Sequence, residues 1–148
     1  MPTLGVNRDD LFEALGQQYT QDEFDELCFE FGIELDDVTS EAEEIEKGGG
    51  AAGDASTDIV YKIDIPANRY DLLCIEGLSR ALRVFLGKED APLFRRVEPE
   101  GGEGARQSIT VKADTAKIRP YVVCAVLRGV SFTVKSYASF MDLQVKRF

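Results

Sequence analysis

Apolar and polar positions along this chain change their spacing in blocks, and the changes mark the elements. Thr3 to Val6 reads as a short strand. Asn7 stands where a cap belongs, ahead of a helix from Arg8 to Leu15 whose Leu11, Phe12 and Leu15 face inward and which Gly16 ends. Thr20 and Glu23 have capping-box spacing. The helix they open repeats Phe24, Leu27, Cys28 and Phe31 at i, i+3, i+4 and i+7, and Gly32 follows as its left-handed stop. Ile33 to Val38 alternates weakly as a strand. Ile59, Tyr61, Ile63 and Ile65 share one face of a second strand, which stops at Pro66 because proline has no N–H for a ladder. Ile75, Leu78, Leu82 and Phe85 then fall on one face of a helix, widened by Leu72, Cys74 and Ala81.

Two stretches interrupt the pattern. Residues 41–57 are small, acidic and Gly-rich, with nothing to bury, and read as a flexible loop between two strands. Gly87 to Asp90 marks a second shift. Beyond it Leu93 to Val97 and Ser108 to Lys112 read as strands around a turn at Pro99 to Gly104. Tyr121 to Leu127, the most apolar run, reads as a central strand. Thr133 opens a last helix carrying Tyr137, Phe140, Met141 and Val145. The predicted class is α+β. A small module of two to three helices and a short β-sheet fills residues 1–90, and residues 91–148 supply the first strands and a helix of a second, incomplete module.

Charge changes this picture by halves. Residues 1–58 carry 17 acidic and two basic side chains, a net of −15, whereas residues 59–148 carry ten and fifteen, a net of +5, giving −10 for the chain. The first half repels nucleic acid, whose binding is dominated by phosphate neutralisation, and so argues against a DNA-binding helical domain. No apolar run approaches about 18 residues, no targeting segment is evident, and a cytoplasmic location without membrane association is expected. Cys28, Cys74 and Cys124 are odd in number, far apart and in apolar settings, so buried, inert thiols are expected.

Candidate chemistry is sparse. With no histidine in the chain, the usual general base, triad partner and metal ligand are missing. No phosphate-cradling glycine motif occurs, and acidic pairs such as Asp36-Asp37 lack an apolar setting that would shift a pKa. No catalytic, cofactor-binding or metal-binding residue is predicted. One polar knot stands out between strand and helix: Asn68, Arg69, Tyr70 and Asp71. Its simplest reading is structural, with Asp71 as helix N-cap, Arg69 in a local ion pair, and Arg69 or Asn68 satisfying backbone groups.

The wording around that knot is distinctive: Asp64-x-Pro66-Ala67-Asn68-Arg69-x-Asp71-Leu72-Leu73-Cys74-x-Glu76-Gly77-Leu78-x-Arg80-x-Leu82. With Met1 to Gly16, Tyr19 to Asp37 and Thr115 to Phe132, it resembles the β subunit of phenylalanyl-tRNA synthetase in its eukaryotic, cytosolic form. The resemblance implies the front quarter of a subunit in a class II aminoacyl-tRNA synthetase. Residues 1–90 would be its N-terminal module and 91–148 the beginning of a tRNA-editing module whose pocket residues lie further along. It implies a heterotetramer of two α and two β subunits. ATP, Mg²⁺ and phenylalanine would be handled by the α subunit, and tRNA(Phe) would be bound through other parts of the enzyme. This stretch alone is then expected to be inactive. The alternative is an independent acidic protein-interaction module with no ligase role.

Overall fold

Strand β1 (Thr3–Asn7) and strand β2 (Glu34–Ser40) flank strand β3 (Ile59–Asp64) in an antiparallel sheet of order β1-β3-β2. The computed structural model describes residues 2–40, 42–43, 57–95, 97 and 99–145. The expected flexible loop at 41–57 therefore lies, apart from residues 42, 43 and 57, outside the described residues.

Register follows the alternation of side chains. Leu4 and Leu35 both pair with Ile63, and Val6 and Val38 both pair with Tyr61. Two apolar rows thus cross one face of the sheet, as the period of two along a strand requires. The opposite face carries Thr3, whose hydroxyl donates to Asp64 at 2.6 Å, and Lys62, 3.9 Å from the Asp37 carboxylate. A bulge between Leu35 and Asp37 interrupts β2.

Helices α1 (Arg8–Leu15), α2 (Gln21–Phe31) and α3 (Ile75–Phe85) contribute the other side of the core. The Asn7 side chain accepts from the amides of Asp9 and Asp10, both at 3.0 Å, and Gly16 closes α1 at φ 69°. At α2 the capping box is complete: Thr20 Oγ1 accepts from the Glu23 amide at 3.3 Å, and the Glu23 carboxylate accepts from the Thr20 amide at 2.7 Å. Those bonds hold the Glu23 carboxyl below the usual carboxylate range. Phe12, Phe24 and Tyr61 meet at the centre of the core and the half-buried Tyr19 packs against them, with ring separations of 5.2 to 6.2 Å. Arg83 of α3 and Lys88 just beyond it then close the far end of α1. Arg83 Nη1 donates to the Ala14 carbonyl at 2.5 Å, and Lys88 Nζ donates to Gln17 at 2.8 Å, placing cations at the negative end of that helix.

The chain divides into two compact units, Met1–Ala91 with Thr133–Phe148, and Pro92–Phe132. Helix α4 (Val134–Val145) thus groups with the first unit. In the second, the strands expected at Leu93–Val97, Ser108–Lys112 and Tyr121–Leu127 are absent from the described residues, which hold only short 3-10 turns at Gly102–Ala105 and Ala113–Lys117. Val123 is 97% exposed and Tyr121 89%. A strand needs ladder partners and a covering layer, and β-rich composition supplies neither by itself.

Candidate functional site: the Asn68–Asp71 turn

The turn begins where Pro66 ends the ladder. The Arg69 amide donates back to the Pro66 carbonyl at 2.9 Å, and the Leu72 amide donates to the Arg69 carbonyl at 3.2 Å, opening a 3-10 turn over Tyr70–Leu72. The Arg69 guanidinium grips the Asp71 carboxylate as a fork, Nε to Oδ1 at 2.9 Å and Nη2 to Oδ2 at 2.8 Å. It also lies 5.6 Å from the centre of the Phe31 ring, whose edge meets Phe85 at 5.4 Å. The hydrogen bond from Arg69 holds the Asp71 carboxyl below its ordinary range and raises the guanidinium in turn. With side chains 39% and 60% exposed, the pair orients the turn more than it stabilises the fold.

Two expectations for this knot are corrected. Asp71 does not cap the helix: α3 starts at Ile75, with Cys74 at the cap position and no side-chain cap bond. The reason is the intervening turn, which buries Leu72 and Leu73 and delays the helix, while the Asp71 carboxylate is committed to Arg69. Asn68 is exposed, and among the described residues its side chain makes no hydrogen bond, so it satisfies no backbone group. Arg69 contributes its own amide to the turn, not its guanidinium.

Sequence reasoning passed over Gly77. A Cβ built there would lie 1.8 Å from the Asp71 carbonyl oxygen. The first turn of α3 therefore packs directly on the turn's backbone, a closeness only glycine allows. An isolated glycine inside a helical pattern was the available signal. The cysteines also sort by depth. Cys28 is buried, and desolvation pushes its thiol up to about 12. Cys74 is half-buried, its thiol raised by the same cause. Cys124, expected to be buried, is exposed, because the run that carries it lacks a covering layer. Among the described residues no acidic and cysteine side chains cluster as a metal would require.

A family model described as the B1 domain of the Phe-tRNA synthetase beta subunit matches residues 1–88. The chain belongs to the phenylalanyl-tRNA synthetase β-subunit family. The phenylalanine–tRNA ligase beta subunit of Mus musculus is 55% identical over 148 residues, 99% of this chain and 25% of the relative. The cytoplasmic beta subunit of Arabidopsis thaliana is 53% identical over 99% of this chain and 24% of its own length. The chain thus spans about a quarter of these synthetase subunits. A crystal structure of an N-terminal fragment of the phenylalanyl-tRNA synthetase beta subunit from Pyrococcus horikoshii superposes with a TM-score of 0.68 at 26% identity, covering 98% of this chain and 37% of that one. The β1–α1–α2–β2–β3–turn–α3 arrangement, with its braced Asn68–Asp71 corner, falls inside the stretch that the B1 model matches.

Proposed function

We propose that this chain is the N-terminal module of a phenylalanine–tRNA ligase β subunit in the class II synthetase group. It serves as a non-catalytic scaffold in a cytoplasmic complex of two α and two β subunits. In this reading the α subunit handles ATP, Mg²⁺ and phenylalanine, tRNA(Phe) is held by other parts of the enzyme, and residues 91–148 belong to the start of an editing module. The observation that supports it best is the fate of the most distinctive motif. Arg69 and Asp71 are tied to each other, and Gly77 to the Asp71 carbonyl, in the join between β3 and α3.

The test is direct. Purified chain, cleared of host synthetase, is expected to give no phenylalanine-dependent ATP–pyrophosphate exchange and no deacylation of tyrosyl-tRNA(Phe). A β subunit carrying residues 1–148 is expected to co-purify with its α subunit and restore charging. Exchange by the isolated chain would move catalysis into this module and overturn the proposal.

A further inference from the structure

The sheet has two outer strands, and they differ in kind. β2 is bulged beside Asp36 and lined by Asp36 and Asp37, features that discourage another chain from pairing with it. β1 reads Thr-Leu-Gly-Val-Asn, with no charge, no proline and no bulge. Its hydrogen-bond phase is fixed at one end, where the Ile65 amide donates to the Pro2 carbonyl at 2.9 Å. Because Pro2 is thus bonded inward, Leu4 and Val6 bond to β3, while Thr3 and Gly5 turn their amides and carbonyls to the open edge. No described side chain or backbone group outside the sheet bonds those amides.

The open edge borders a cleft of about 430 Å³, entered between β1, the start of α3 and α4. Leu4, Val6, Leu73 and Ile75 are among its lining residues, the first three almost wholly buried in the core behind it. Its rim carries Asp10, Glu13, Glu76 and Asp142 against one cation, Lys135, which is already held by Asp10 at 2.6 Å. Glu76 accepts from Ser139 at 2.6 Å, Glu13 shares the field of Lys135, and Asp142 has no ion pair among the described residues.

We propose that this cleft takes an extended, cationic segment of a partner protein, which adds as a fourth strand to the open edge of β1. Main-chain bonds to Thr3 and Gly5 supply pairing, and alternate side chains of the segment use the apolar lining and the rim's excess of four carboxylates over one cation.

The test uses the whole chain and an acetylated, amidated Lys-Val-Lys-Val-Lys-Val peptide as probe, with Glu-Val-Glu-Val-Glu-Val as control. Saturable binding of the cationic peptide, seen as amide shifts at Thr3 and Gly5, is expected, and the acidic peptide is expected not to bind. Gly5→Pro removes one outward N–H while leaving the β1–β3 ladder, and is expected to weaken binding about tenfold, the worth of one such bond. The double variant Glu13→Gln with Asp142→Gln, which leaves β1 untouched, is expected to weaken it similarly and to reduce its salt dependence; it keeps the test decisive should Gly5→Pro unfold. The proposal is overturned by no binding, by equal binding of the acidic peptide, or by binding that Gly5→Pro and the carboxylate variants leave unchanged. It is equally overturned if the unliganded chain dimerises in a manner abolished by Gly5→Pro, which would make a second copy the occupant.

Discussion

At the corner between β3 and α3, Gly77 and Asp71 touch through backbone, and the two positions should respond very differently to the same substitution. Gly77→Ala drives a Cβ against the Asp71 carbonyl oxygen, 1.8 Å away, where no flexible side chain can yield. The helix-propensity gain of up to about 1 kcal/mol for Gly→Ala is outweighed by overpacking, and a net loss of roughly 2 kcal/mol is expected. Asp71→Ala removes only a partly exposed ion pair and should cost less than about 1 kcal/mol. Urea unfolding midpoints rank the two; a costlier Asp71→Ala would mean the fork, not the close approach, holds the corner. Since the Asp71 carboxyl is depressed in the fold, whatever the pair contributes is present above the unfolded carboxylate range and fades as pH falls through the folded value. The parent and Asp71→Ala should therefore converge in stability under acid. Cys28 carries the opposite sign. Its thiol rises from 9.0 to about 12, so its neutral form favours the fold, and that contribution declines as pH climbs above the unfolded value. Iodoacetamide labelling followed by mass spectrometry should find Cys124 modified first and Cys28 last.

Elements whose signals are local were legible in the sequence. Asn7, Thr20 with Glu23, Gly16 and Gly32 each act through bonds spanning a few residues, and α1 and α2 follow the positions these residues mark. The start of α3 was not legible, because burying Leu72 and Leu73 in a 3-10 turn is a tertiary gain that overrides Asp71's capping preference. The candidate site was half legible: the Arg69–Asp71 pair is a neighbour effect, whereas the role of Gly77 depends on where α3 packs. Strands in 92–132 were misread for the same reason. Tyr121 to Leu127 has strand composition, but ladder partners are a property of the fold, and the described residues offer none. Amides of Tyr121 to Leu127 should thus exchange with deuterium far faster than those of Phe24 to Phe31, which lie in a capped and packed helix. Equal protection in the two stretches would mean that the apolar run finds a partner in solution.

Across the whole molecule, stability and stickiness reside in different residues. The buried apolar side chains run from Leu4 to Leu82, and among the described residues beyond Leu82 the core gains only partly buried neighbours such as Leu86 and Leu143. A chain ending at Asp90 should therefore keep its cooperative melting transition, within a few degrees of the full chain, because little apolar area leaves the core with the deleted part. Association should change far more. Leu93, Phe94, Ile118, Val123 and Leu127 are each at least 75% exposed, an apolar load that soluble monomers rarely leave uncovered. The full chain should accordingly self-associate as its concentration rises, while the chain ending at Asp90, still acidic and with most of its large apolar residues inside, should stay monomeric. Light scattering on both, at matched concentrations and at low and high salt, separates the causes: apolar association persists or strengthens with salt, whereas charge-driven association weakens. If both chains scatter as monomers at all concentrations, the apolar residues of 92–132 are covered in solution within one chain, and the division between a folding part and an associating part fails.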